Sequence, residues 1–132
     1  MRVCPDTHCW LEPLVTRAPR TNLLLASVVM QELWAGAPSP GERAFIEHLY
    51  LLARRDRRLI NPPAAAWILS GQALHVLARA HGVGSGRLRG LRNDVLLAAT
   101  ALLHGAAVMT RNHDDFALIA AVLPVRVVAP PG

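Results

Sequence analysis

The chain has 132 residues, 52% of them apolar and only 17% charged, which excludes a disordered charged tail and fits one domain spanning residues 1–132. No apolar run approaches the ~18 residues of a membrane span. The opening MRVCPDTHCW lacks the apolar core of a signal peptide, and two cysteines are too few for a disulfide framework, so the cytoplasm is the expected compartment. Net charge is +5, and all 14 basic residues are arginine. GC-rich coding accounts for most of the preference for Arg over Lys, but the positive balance suits a polyanionic partner.

Short apolar runs alternate with helix-like segments. Residues 1–5 read as a first strand, followed by Asp6. Residues 7–15 read as one or two helical turns stopped near Pro13, and 23–26 as a buried strand. Ser27 stands where an N-cap belongs, ahead of VVMQELWAG. After a proline–glycine loop, residues 42–53 place Phe45, Ile46, Leu49, Leu52 and Ala53 at helical spacing. Residues 57–60 are a third strand candidate. Residues 64–81 form a long helix stopped by Gly82. The stretch HGVGSGRLRGLR reads as a glycine–arginine loop and 93–104 as an apolar helix. A fourth strand over 106–110, a helix over 115–122 and a fifth strand over 125–128 complete the chain. This alternation predicts an α/β fold, with a central parallel sheet of four or five strands flanked by helices. In such folds ligands sit at the carboxyl ends of the strands.

Only nine residues are Asp or Glu, so their placement is informative. Asp6 follows the first strand, Asp94 opens the apolar helix, and Asp114 and Asp115 follow the fourth strand. Glu32 shares a helix face with Val28, Val29 and Gly36, a face that should point inward. A carboxylate there must be paired, protonated or bound to a cation. Each acid also has an ordinary explanation: a helix-dipole contact for Asp94, a cap for Asp115, a loop acid for Asp6, an arginine partner for Glu32. Those explanations do not account for all four mapping near one sheet edge. Carboxylates gathered there would repel one another unless a hard divalent cation, Mg²⁺ or Mn²⁺, neutralised them. Such a site beside a basic surface suggests metal-assisted phosphodiester hydrolysis.

Three segments carry a family resemblance. PDTHCW resembles the D-T/S-x-x-h opening of PIN domains, ASVVMQELWAG resembles their S-x-x-x-x-E-L segment, and LRNDVLLAATALLHGAAVMTRNHDDF resembles their N-D-x-x-h-A…G…h-x-T-x-N-x-x-D-F block. The last is the most specific, and the resemblance as a whole runs from about Asp6 to Val128, almost the whole chain. The resemblance implies a three-layer PIN-like fold and, for a small chain, a VapC-type toxin. It implies a Mg²⁺- or Mn²⁺-dependent endoribonuclease, a homodimer, an RNA substrate and a cognate antitoxin that holds the enzyme inactive. Carried over by motif, Asp6, Glu32 and Asp94 are metal-site acids. Within TRNHDDF, where many relatives have Asp in place of Asn112, Asp115 is expected to be the fourth acid and Asn112 a polar orienting group. Thr7 and Thr110 are expected to orient the carboxylates or the water. The interval from Asp6 to Glu32 is shorter than the family usually shows, as if most of a helix were trimmed. The alternative is therefore a catalytically inactive PIN-like module that binds nucleic acid or an antitoxin-like partner.

Other features point less sharply. Arg54, Arg55, Arg57 and Arg58 read as a solvated helix end or as phosphate contacts. Arg87, Arg89 and Arg92, which lead into Asp94, are the better RNA-contact candidates. GVGSG follows a helix rather than a strand, so it is no dinucleotide fingerprint. Cys4, His8 and Cys9 lack a clear fourth zinc ligand. Trp10, Trp34 and Trp67 are spaced for core or dimer contact rather than for base stacking.

Overall fold

The structure is a computed structural model that describes residues 1–16 and 22–132. In chain order the elements are β1 (Val3–Pro5), α1 (Thr7–Trp10), α2 (Pro13–Thr16), β2 (Leu25–Ala26), α3 (Ser27–Gly36), α4 (Pro40–Arg55), β3 (Leu59–Ile60), α5 (Ala64–Ala80), α6 (Ser85–Leu103), β4 (Ala107–Met109), α7 (His113–Ala120) and β5 (Val127–Val128). The two elements before β2 are one-turn helices, in keeping with the short interval between Asp6 and Glu32.

All strand pairings are parallel, as the buried apolar runs predict. The expected single sheet is instead split. One sheet has the order β1-β4-β5 and the other pairs β2 with β3. The seam between them is an isolated bridge from Val3 to Leu23, with the Leu24 amide donating to the Val3 carbonyl at 2.8 Å. Strands of two or three residues offer too few ladder hydrogen bonds to carry pairing across the whole width. Taken across the bridge, the spatial order is β3-β2-β1-β4-β5. The chain leaves β1 toward one side of the sheet and returns on the other at β4. The carboxyl ends of β1 and β4 therefore flank the point where strand order reverses, the place where open parallel sheets bind ligands.

Helix α6 is the centre of the core. Its Val95, Leu97, Ala98, Ala99 and Ala101 are almost wholly buried, and it packs against β1, β4, α3, α5 and α7. Thr100, also buried, satisfies its hydroxyl by donating 2.7 Å to the Leu96 carbonyl one turn back. Phe116 and Ile119 close the core from α7.

Three sequence expectations are corrected. Pro13 begins α2 instead of ending a helix, because proline suits the first turn, where no amide partner is needed. Ser27 is the first helical residue of α3; the cap position is Ala26, with no side-chain cap. The glycine–arginine segment is not a loop beyond Gly84. Helix α6 starts at Ser85, because Leu88 and Leu91 pack on the core and outweigh the local cost of Gly86 and Gly90. Asp94 accordingly lies within α6 rather than at its start. Among the described residues no helix is long and apolar enough to cross a membrane.

Candidate active site

Asp6 leaves the end of β1 and caps α1, accepting a 3.0 Å hydrogen bond from the Cys9 amide on Oδ1. Its own amide donates to the Met109 carbonyl at 2.9 Å, which ties it to the end of β4. One residue on, Thr110 is fully buried and donates its hydroxyl to Asp6 Oδ2 at 2.5 Å. Asp6 itself is buried. Thr7, on the first turn of α1, donates to Glu32 Oε1 at 2.7 Å, so each of the two acids is held by a threonine hydroxyl.

These groups open on one cavity of about 500 Å³. Its lining includes Asp6, Thr7, Glu32, Asp94, Asn112 and Asp115. The pocket thus brings together the four acids and the asparagine singled out from sequence. Thr110 stands behind it, against Asp6. His8, Glu42 and Gly90 also face the cavity. Glu42 was missed by the sequence reading. The available signal was its place in the first turn of α4, immediately after the loop that follows the Glu32 helix.

The electrostatics follow from this crowding. Burial pushes the Asp94 carboxyl up to about 7, and Glu32, Asp6 and Asp115 push in the same direction. None of Asp6, Glu32 and Asp94 forms an ion pair with a described residue. Asp115 differs: its Oδ1 receives Arg87 at 3.1 Å and its Oδ2 receives the Asn112 amide nitrogen at 2.8 Å. Burial also raises the Cys4 thiol to about 12 and pushes the Cys9 thiol upward, the latter reinforced by Asp6. Both are packed, protonated thiols, and among the described residues they form no group of three metal-binding side chains.

The donor set fits a hard divalent cation in chemistry: carboxylate oxygens, part-buried and without a described cationic partner. It does not form a closed cluster. Among the described residues no three His, Cys, Asp or Glu side chains converge tightly enough to hold a metal ion as they stand.

The arginines divide. Arg87 pairs with Asp115 at the pocket rim. Arg89 and Arg92 line a separate cleft with Leu74, Ser85 and Leu88. A helix explains the split, since 100° per residue turns positions 89 and 92 away from 87. Within the other basic cluster, Arg58 is buried, donating to the Leu23 carbonyl at 3.1 Å and to Asp56 at 3.2 Å. That arginine braces the backbone and is not a phosphate contact. Trp10 is buried, whereas Trp34 and Trp67 are exposed.

A protein-family model described as PIN domain matches residues 3–122. No curated protein sequence matches the chain significantly. Among solved structures, the chain resembles one in VapBC-5 of Mycobacterium tuberculosis, a toxin–antitoxin system, with 20% identity, TM-score 0.67 and coverage of 98% of this chain and 99% of that one. Against VapBC2 of Rickettsia felis, bound to a promoter DNA fragment, identity is 18%, the TM-score 0.65, and coverage 99% and 100%. FitAcB of Neisseria gonorrhoeae gives 19%, 0.63, and 95% of each chain.

Proposed function

The chain belongs to the PIN-domain family, and from that premise we propose that it is a metal-dependent endoribonuclease, the toxin of a type II toxin–antitoxin pair. The observation that carries this reading is the pocket at the reversal of strand order, which Asp6, Glu32 and Asp94 line together without a described cationic partner. Burial, reinforced by repulsion from Glu32 and Asp6, raises Asp94 toward neutrality, and a divalent cation is the natural counter-charge.

Asp6, Glu32 and Asp94 would hold Mg²⁺ or Mn²⁺. Such a cation supplies the activation of an attacking water and the neutralisation of charge developing on the phosphate. The remaining work falls to the protein. Thr110 and the Cys9 amide each take one oxygen of Asp6, leaving the other lone pairs for a ligand. Thr7 holds Oε1 of Glu32 in the same way. Ionised Asp94 supplies the third carboxylate, and a protonated Asp94 would withhold it. Asn112 keeps Thr110 in place by donating its backbone amide to the hydroxyl at 2.9 Å.

Partners follow from the same reading. The crystallised VapBC and FitAcB complexes support a cognate antitoxin as the regulator. A homodimer is supported by α5, whose Trp67 and Ile68 are each 60% exposed and whose 17 residues include no acid and one arginine. In a chain of net charge +5, an uncharged face is where two copies meet without repulsion.

The test is cleavage of labelled RNA with Mg²⁺ or Mn²⁺, against EDTA and against Asp94→Asn. Cleavage that requires the cation and Asp94 supports the reading; equal cleavage in every arm removes it. One observation favours a second reading, a non-cleaving module that binds nucleic acid or an antitoxin-like partner. It is the absence of a closed metal-ligand cluster among the described residues. RNA binding without cleavage under any metal would select it.

A further inference from the structure

We infer that Asp115 acts as a positioning residue, holding Arg87 over the pocket to contact an RNA phosphate beside the scissile one, and that Asp115 does not ligate the cation. This rests on the nuclease reading above.

A run of hydrogen bonds connects the end of β1 to the Arg87 side chain. Thr110 donates to Asp6 at 2.5 Å, and the Asn112 amide donates to Thr110 at 2.9 Å. The Asn112 side chain donates to Asp115 Oδ2 at 2.8 Å, and Arg87 donates to Asp115 Oδ1 at 3.1 Å. Both Asp115 oxygens are therefore engaged. A guanidinium already sits against one of them, so a divalent cation at Asp115 would meet a positive charge. By contrast, no described guanidinium pairs with Asp6, Glu32 or Asp94.

Arg87 is suited to a phosphate. Its side chain is 55% exposed, and its bond to Asp115 is the one it makes among the described residues. Most of its five N–H donors are thus available to a phosphodiester oxygen. It lies in the first turn of α6, with Gly90 and Asp94 at i+3 and i+7 on the same face. The helical rise sets Arg87 about 10 Å from Asp94 along the axis. Gly90 lines the pocket between them, and a Cβ there would meet nothing within 4 Å. The helix face between Asp94 and Arg87 thus carries no side chain at Gly90. An exposed ion pair adds little to stability, so a pair held by three further hydrogen bonds is better explained by where it aims the arginine.

The experiment measures RNA cleavage by Arg87→Ala, Arg87→Lys, Asp115→Ala, the double alanine variant and, as a charge control, the exposed Arg126→Ala. Folding is checked by thermal melting. Arg87→Ala and Asp115→Ala are each expected to raise KM about tenfold, with the loss in KM rather than kcat, and Arg87→Lys to recover part of it. The double variant should be no worse than Arg87→Ala alone, because the two residues act as one unit. The Mg²⁺ concentration for half-maximal activity should be unmoved by Asp115→Ala and raised by Glu32→Gln. The inference is overturned if Asp115→Ala shifts that concentration about tenfold or more, if the two KM effects multiply, or if Arg87→Ala matches Arg126→Ala. Should the wild-type protein cleave no RNA, the nuclease reading fails by itself. RNA affinity by fluorescence anisotropy, with Ca²⁺ in place of Mg²⁺, then decides the role of Arg87: a loss in both single variants sustains it and unchanged affinity ends it.

Discussion

The Thr110 hydroxyl lies 2.5 Å from Asp6 Oδ2, joining residues 104 apart in sequence. Both are buried, so the bond is hard to replace with water. Thr110→Val keeps the shape and removes the donor, leaving a buried carboxylate oxygen short of a partner. It should cost about 1–3 kcal/mol in denaturant unfolding and lower RNA cleavage, whereas Thr110→Ser should retain most of both.

Asp94 links stability to pH. The carboxyl ionises near its ordinary 3.8 in the unfolded chain and near 7 in the fold. At low pH it is protonated in both states. As pH rises from about 4 to about 7 the unfolded chain gives up its proton and the folded one retains it, so stability falls and then levels off. Metal-free protein should therefore melt lower at pH 8 than at pH 5 on account of this group. Asp94→Asn should raise the pH 8 melting point of metal-free protein by an amount equivalent to up to about 4 kcal/mol while abolishing cleavage. Mg²⁺ should stabilise the wild type and have little effect on the variant. Thermal melts at the two pH values, with and without Mg²⁺, check this.

These two residues show how far the sequence could be read. Asp6, Glu32, Asp94 and Asp115, which line one pocket, could be singled out because acids are scarce, because they map near one sheet edge and because three segments resemble PIN motifs. Pairing partners were not recognisable. That Arg87 meets Asp115 depends on α6 beginning at Ser85, and two glycines within six residues argued for a loop. The local cost of those glycines is small beside the burial of Leu88 and Leu91, an energy visible only once the sheet and α5 are in place. The split sheet was equally hidden, since periodicity reports which strands are buried and not how far each ladder extends.

Arg58 shows what a basic cluster can conceal. Its guanidinium joins the Leu23 carbonyl ahead of β2 to Asp56 at the end of α4. Arg58→Met should retain the bulk and lose the bonds, destabilising the fold by about 2–3 kcal/mol. Arg54→Ala, on the exposed side of the same helix end, should leave stability almost unchanged. Urea midpoints for the two variants separate a brace from a solvated charge.

The exposed face of α5 makes a prediction about assembly. Trp67→Glu combined with Ile68→Glu places like charges against their own copies across a two-fold axis. Light scattering should then show a monomer where the wild type is a dimer, with the helical signal retained because both side chains are exposed in one copy. A wild type that is monomeric at tens of micromolar would remove the α5 interface.

Gly90 separates folding from function. It sits inside α6, where glycine costs up to about 1 kcal/mol relative to alanine. A Cβ at this position meets no neighbour within 4 Å, so Gly90→Ala should stabilise the protein and keep its activity. Gly90→Leu should also stabilise the helix, but its longer side chain would project into the pocket that Gly90 lines beside Asp94 and should raise KM for RNA about tenfold or more. Melting point and cleavage would then move in opposite directions. If Gly90→Leu cleaved as well as Gly90→Ala, the substrate would have to approach Asp94 by another side of the pocket.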